Sequence, residues 1–232
     1  MIDSEVSFNQ SNEENGMRVV LYGATGMVGS RILKELLSRG HVVTAVVRDP
    51  SKLTPQNNLT IEKGDMLDAD NIAKVAKGSD VVISSYGPPS GPQGPDPTKT
   101  SLLADATRAL IAGARRAGAP RIIMVGGAGS LEISPGLQIV DAPTFPDAYK
   151  PIALAHRDAY HIMRASDLNW TYFSPAMMIQ PGERTGKFRL GKDALISDDK
   201  GNSSISAEDY AIALVDEVEQ GRHTKQRFTI GY

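Results

Sequence analysis

From Met17 onward, short runs rich in β-branched residues alternate with longer segments whose apolar positions recur every three or four residues. The runs RVVLYG, HVVTAVVR, LTIEKGD, DVVISSYG and RIIMVGG have the length and composition of buried strands. Helical spacing is cleanest after the first run, through Val28, Ile32, Leu33, Leu36 and Leu37. A second helical face follows Leu103, Ala106, Leu110 and Ala114, and Gly118 then Pro120 close it before the fifth run. Strands that alternate with helical crossovers predict an α/β fold, a doubly wound parallel sheet covered on both faces.

The pattern changes from residue 169. NWTYFSPAMM reads as a sixth strand, and GKFRL, a helical SAEDYAIALVDEVEQ and a closing strand RFTIGY follow it. Ser206 and Asp209 carry capping-box spacing, with Asp in place of the usual Glu. The 58 residues from Pro175 are too few for a large second domain. Residues 17–232 are therefore expected to form one domain with a small C-terminal cap over the sheet edge. Two loops stand out. YGPPSGPQGPDPTKT, after the fourth strand, is too rich in Pro and Gly for helix or central strand. The other, about residues 127–150, follows the fifth strand and opens with GGAGS. Both lie at the C-terminal ends of strands, where open α/β sheets bind ligands. Each is either a lid or a mobile surface loop.

Composition narrows the partners. With 25 basic against 27 acidic residues, a net charge of -2 and no long single-sign run, neither nucleic acid nor a membrane surface is expected. A small molecule is. The chain has no cysteine, which excludes disulfides, thiolate metal sites and a cysteine nucleophile. Residues 1–16 are polar and acidic, without the basic and apolar regions of a signal peptide, and are expected to be a loose tail. No apolar run approaches the roughly 18 to 20 residues that span a bilayer. A cytoplasmic protein is expected, and a homo-oligomer is left open.

The most specific motif is Gly23-Ala24-Thr25-Gly26-Met27-Val28-Gly29, set between an apolar strand and an amphipathic helix. Glycine is needed where the chain turns tightly and where backbone must approach a pyrophosphate, while the helix start offers free N–H groups and a partial positive charge. In a strand-turn-helix setting this predicts a dinucleotide site on a Rossmann fold.

The spacing GxxGxxG in GATGMVG resembles the extended and atypical branches of the short-chain dehydrogenase/reductase superfamily, and the likeness runs through residues 17–232. The resemblance implies roles for particular residues. VVRDPSKL matches the end of the second strand, where Arg48 occupies the place of a ribose-binding acid; an arginine there can fork onto a 2′-phosphate. NADP(H) is therefore preferred, unless Arg48 is simply a solvated charge, and Asp49 beside it keeps NAD(H) possible. GDMLDAD matches the turn flanking adenine and nominates Asp65 and Met66. SSYGPP matches the segment along the middle of the cofactor and nominates Ser84, Ser85, Tyr86 and Gly87. SPAMM matches the turn near the nicotinamide, with Pro175 as its fixed point.

Typical members add a serine after the fifth strand and Tyr-x-x-x-Lys on the next helix. Here Tyr149 is followed at once by Lys150, and Tyr160 has Arg164 at the lysine spacing, only 11 residues before Pro175. Matching MRASDLNWT to the helix end in atypical members puts the lysine position at His156, give or take a residue, and the tyrosine position at Ile152. The serine position falls on Gly126 or Gly127, with Ser130 displaced nearby. Helical spacing predicts a buried face of Ile152, Ala155, Ala159, Ile162 and Met163, with His156 and Tyr160 on its rim. His156 is then either a donor of a proton or hydrogen bond with a pKa near neutrality, or a rim histidine bonded to a loop. His41 and His223 are expected at the surface, and His161 away from the buried face.

Within the superfamily, GGAGSL, the alanine-rich helix and RFTIGY resemble the NADH-flavin reductase group, related to the flavin reductase that also reduces biliverdin. That likeness implies hydride transfer to a flavin or quinone-like acceptor, for which stacked rings and solvent protons suffice. Gly127, Ser130, Ala176 and Met177 are then expected beside the acceptor, whose cover would come from the two loops and the SPAMM turn. The adaptable Met177 and Met178 suit an aromatic guest, or else simply pack in the core. A second resemblance, to NmrA-like proteins, implies an NADP sensor without turnover.

Overall fold

The computed structural model describes residues 16–88, 90–91, 94–118 and 121–232. Residues 1–15 of the expected tail, Pro120, and residues 89, 92 and 93 of the proline-rich loop lie outside the described residues. The expected strands form as β1 (Arg18–Tyr22), β2 (Val42–Val47), β3 (Leu59–Lys63), β4 (Val81–Ser84), β5 (Ile122–Val125) and β6 (Trp170–Ser174), followed by β7 (Arg189–Gly191) and β8 (Gln226–Gly231). They join in the order β7-β8-β6-β5-β4-β1-β2-β3, parallel throughout except for β7, which runs antiparallel to β8. This is the doubly wound Rossmann-like sheet that the alternating pattern predicts.

Helices α1 (Met27–Ser38) and α5 (Ala207–Gln220) cover one face; α2 (Ala69–Val75), α3 (Leu102–Ala117) and α4 (Lys150–Arg164) cover the other. The period-2 geometry of strands divides the core accordingly. Val19 and Leu21 of β1 pack with Ile32, Leu36, Tyr210 and Leu214, whereas Val20 and Tyr22 pack with Ile72, Leu110 and Ala159. Gly118 ends α3 in the left-handed region at φ 66°, as its place after the last apolar position predicts. Among the described residues no helix is long and apolar enough to cross a membrane.

The residues after Pro175 do more than cap an edge. β8 enters the main sheet between β6 and β7, and α5 lies beside α1 in the helical layer. Outside them, Met178–Gln180 pairs with Ser204–Ser206. The Ser206 hydroxyl accepts the Asp209 N–H at 3.0 Å and starts α5, as the capping spacing predicts. Asp209 does not complete the box. Its fully buried carboxylate accepts the N–H groups of Thr185 and Gly186, both at 2.8 Å, and the Tyr232 hydroxyl at 2.8 Å, which ties the 183–187 strap and the last residue to α5.

Three expectations about side chains need correction. On α4 the buried residues are Ala153, Ala155, Ala159, Tyr160 and Met163, while Ile152 and Ile162 are only half-buried. Tyr160 turns inward because its ring finds Tyr172 at 5.0 Å, Trp170 at 6.3 Å and the Arg227 guanidinium at 4.6 Å, an aromatic and cation–π setting. His41 is buried, accepting the Met17 N–H on Nδ1 at 3.2 Å and meeting Glu219 through Nε2 at 3.1 Å. His223 is half-buried, stacked on Phe228 at 4.1 Å and bonded to Glu217, which also binds Arg121. Both histidines sit beside turns but fold back onto acids of α5, Glu219 and Glu217. His161 is exposed, as expected.

The loop after β5 is neither a free lid nor a mobile loop in its first half. Leu131, Ile139 and Val140 are buried, Glu132 and Leu195 exchange backbone hydrogen bonds with residues 193 and 132 at 2.8 Å, and Arg157 holds Asp141 at 3.0 Å.

Candidate functional site

The strand order reverses between β1 and β4, and the crevice this opens at the C-terminal edge is where such sheets bind ligands. Gly23 follows β1 with φ +81°, and a Cβ there would lie 2.2 Å from the Ser85 carbonyl oxygen, so no other residue fits. A Cβ on Gly29 would lie 2.0 Å from the Gly23 oxygen, because α1 sits directly on the turn. Gly26 differs from both. Its φ of -77° suits any residue, and a Cβ would approach only the Gly23 oxygen, at 3.3 Å. Its missing side chain leaves room on the crevice side. Among the described residues no side chain caps α1, which leaves its first N–H groups free there.

A cavity of about 170 Å³ follows this turn, lined by Gly23, Thr25, Gly26, Arg48, Asp65, Met66, Ser85, Tyr86 and Gly87. These nominated residues come together from four loops. Tyr22, Val46, Val47 and Gly64 line it as well and were missed, although Tyr22 and Gly64 stand next to nominated residues. Met27 and Val28 lie on the first turn of α1, Met27 exposed and Val28 half-buried. Ser84 is buried within β4, its hydroxyl without a partner among the described residues, and Pro175 is buried at the end of β6.

The cavity is polar in a defined way. The buried Tyr22 hydroxyl has no hydrogen-bond partner among the described residues, and burial, with help from Asp68, holds its pKa well above the ordinary range. Burial also raises Tyr86, with Asp65 adding to the effect and Arg48 opposing it, so this phenol stands between an acid and a base. Arg48 is exposed at the end of β2 and has no ion pair among the described residues. Asp49, in contrast, accepts the Ser51 hydroxyl at 2.7 Å and the Ser51 N–H at 3.1 Å, which hold its carboxyl below the usual range. The acid beside Arg48 is therefore spent on its own turn. A bare turn, a helix start uncapped among the described residues and a guanidinium without an ion pair there fit the diphosphate of a dinucleotide.

The side facing β5 and α4 is built differently. A Cβ on Gly126 would meet the Tyr172 ring at 2.2 Å, one on Gly127 the His156 side chain at 2.8 Å, and one on Gly129 the Ala153 Cβ at 2.7 Å. The serine position of typical superfamily members is thus closed by packing. Ser130 is 2% exposed, and its hydroxyl and carbonyl oxygens both accept from the Arg227 guanidinium, at 2.9 and 3.0 Å. Tyr149 and Lys150 are exposed at the start of α4, and Arg164 is exposed at its end. The Tyr172 hydroxyl donates to the His156 carbonyl at 2.8 Å, and the imidazole Nδ1 is buried without a partner among the described residues. Burial lowers the His156 pKa to about 4, so the expected value near neutrality does not hold and the ring is neutral at physiological pH. Ala176 is buried in the core, whereas Met177 and Met178 are more than half exposed, at 52% and 57%. Core packing therefore does not account for the two methionines.

Comparison with known proteins follows the same lines. Residues 23–220 match a family model described as NAD(P)H-binding. "Uncharacterized protein YwnB" of Bacillus subtilis is 38% identical over 219 residues, covering 92% of this chain and 98% of that protein. A solved structure from Burkholderia pseudomallei, described as a "putative exported protein", superimposes with a TM-score of 0.83 at 51% identity, covering 93% of this chain and all of that one. The structure of SP1627, described as a "putative NADH-flavin reductase" from Streptococcus pneumoniae, gives a TM-score of 0.80 at 34% identity over 93% of this chain and 99% of that one. The Burkholderia description lends no support to the cytoplasmic expectation.

Proposed function

Because the chain belongs to the NAD(P)H-binding family, we propose that it is a reductase that passes a hydride from NADPH to a planar conjugated acceptor of the flavin or quinone class. The observation that carries this reading is the contrast along the crevice. The β1–α1 turn is bare and open, while the side facing α4 offers a neutral His156, a closed serine position and a Tyr160 buried among aromatic rings. A reaction that needs no acid from the protein suits such a site.

When bound, the nicotinamide supplies hydride; the residues of the chain supply position. Gly23 makes the tight turn, Gly26 lets backbone approach the diphosphate, and the free N–H groups of α1 hold it. Arg48 meets the 2′-phosphate, which Asp49 is turned away from opposing. The exposed Met177 and Met178 cover the flat acceptor with side chains that adapt to its outline. Water supplies the proton that completes the reduced product, so alignment of the rings provides most of the rate.

A second reading is favoured by the same lack of a proton-donating acid: an NmrA-like sensor that binds NADP(H) and signals without turnover. Purified protein mixed with NADPH and a panel of flavins and quinones separates the two. Loss of nicotinamide absorbance supports the reductase. Different affinities for NADPH and NADP⁺ without any oxidation support the sensor.

A further inference from the structure

His156 is the polar ring beside the acceptor side to which the proposed reduction gives no task. Its Cβ and Cγ lie 2.8 Å from where a side chain on Gly127 would begin, so the imidazole rests on the backbone just beyond β5. The Tyr172 hydroxyl of β6 fixes it from behind by donating to its carbonyl at 2.8 Å. Nδ1 is buried and lacks a partner among the described residues, whereas the residue as a whole is only half-buried, which leaves the Nε2 side of the ring to meet a ligand. A buried N–H without an acceptor is rarer than an unused acceptor. Nδ1 therefore carries the lone pair, and Nε2 the proton.

We infer that His156 is a neutral hydrogen-bond donor whose Nε2–H recognises a carbonyl oxygen of the acceptor beside Gly127. The inference rests on the reductase reading and names what that site selects: a flat ring system with a conjugated carbonyl, as in flavins and quinones. Hydride addition to such a ring raises electron density on the carbonyl oxygen, and a fixed donor there stabilises the change. The hydride brings two electrons and one hydrogen to the ring, and water provides the remaining proton. The ring keeps its own proton throughout. Burial is the cause of its lowered pKa, and the charges around it are engaged elsewhere: Arg227 lies over Tyr160 and binds Asp193, Arg157 pairs with Asp141, and Asp158 is exposed.

Protein labelled with nitrogen-15 histidine tests this, because long-range proton–nitrogen spectra show which ring nitrogen is protonated. The expected result is an Nε2–H ring from about pH 5.5 to 8 with no titration, and a shifted Nε2 when FMN is added to the NADP⁺-bound protein. An Nδ1–H ring, or one titrating above about pH 6, overturns the inference, as does an unmoved Nε2 in a preparation that turns FMN over. If Nε2 shifts but NADPH is never oxidised, the donor stands and the reductase reading falls. Kinetics supply a second arm. His156→Gln, which keeps a donor near Nε2, should hold KM for FMN within about twofold, while His156→Leu should raise it about fivefold to tenfold. Both should leave NADPH affinity unchanged, and the loss in His156→Leu should be smaller for methylene blue, a flat dye without a carbonyl. Equal losses in the two variants, or for the two acceptors, overturn the assignment.

Discussion

Glycines crowd both the β1–α1 turn and the loop after β5, and they are bare for opposite reasons. At Gly26 the nearest obstacle to a Cβ is a single carbonyl oxygen at 3.3 Å, and the space beyond belongs to the crevice. At Gly126, Gly127 and Gly129 the space is already filled by Tyr172, His156 and Ala153, all within 2.8 Å. Gly26 makes room for a ligand, while Gly23 and Gly29 close its turn on β4 and α1; the glycines after β5 let α4 and β6 close over the sheet. Glycine content alone does not tell a cradle from a tight fit, and what lies beyond the Cα does.

The largest effects should come from exchanging these two roles. Gly26→Val should fold and lose roughly a hundredfold in NADPH affinity, about 2.7 kcal/mol, because its methyl groups occupy the space of the diphosphate. Gly126→Ala should do the reverse, losing about 1 to 3 kcal/mol of stability through overpacking against Tyr172 while the folded fraction binds NADPH normally. Calorimetry and urea unfolding on both variants check this. An unfolded Gly26→Val or a harmless Gly126→Ala would erase the distinction.

Arg48 sharpens the comparison from the nucleotide side. A charge-assisted contact to a 2′-phosphate contributes on the order of 1.5 to 3 kcal/mol, so Arg48→Ala should weaken NADPH binding about tenfold to a hundredfold and NADH binding little. Equal losses for both cofactors would show that Arg48 reads something common to them.

From the other side, His156 should leave a mark on stability. Its pKa is about 4 in the folded protein, against roughly 6.5 for an ordinary histidine, so between these values the unfolded chain binds a proton that the folded chain refuses. Stability is therefore lost as pH falls from about 6.5 towards 4, by about 2 kcal/mol once partial exposure of the ring is allowed for. Carboxylates also lose their charges in this range, but they do so equally in a His156→Leu variant. The difference between the urea midpoints of the two proteins should change over this interval, and a constant difference would show that the ring protonates freely when folded.

What could be read from the sequence divides along the same line. The strands, their alternation with helices and the nucleotide turn follow from local constraints: strand periodicity, helix spacing, and a glycine motif contained within seven residues, Gly23 to Gly29. The other half rests on partners far apart in the chain. Ser130 meets Arg227 across 97 residues, and His41 meets Glu219 across 178. No local pattern announces such pairs. α4 shows how this misleads: helical spacing puts Ile152 and Ile162 inward, but the aromatic surroundings of Tyr160 and the small side chains of Ala153 and Ala155 set which side of the helix is buried.

Ser130 carries the smallest expected effect and the finest test of the boundary between the two regions. Its hydroxyl faces Arg227, as its carbonyl does, so Ser130→Ala removes one of two acceptors for the same guanidinium nitrogen. Asp193 still binds the other side of Arg227, and the backbone bonds between Glu132 and residues 193 and 195 still hold the loop. The loss should be about 1 kcal/mol of stability, with less than about a twofold change in KM for the acceptor, measured by urea unfolding and steady-state kinetics. Loss of turnover at unchanged stability would mean that the Ser130 hydroxyl leaves Arg227 and reaches the acceptor, as its place after the fifth strand first suggested. The loop after β5 would then be part of the ligand cradle and not a tightly packed wall beside it.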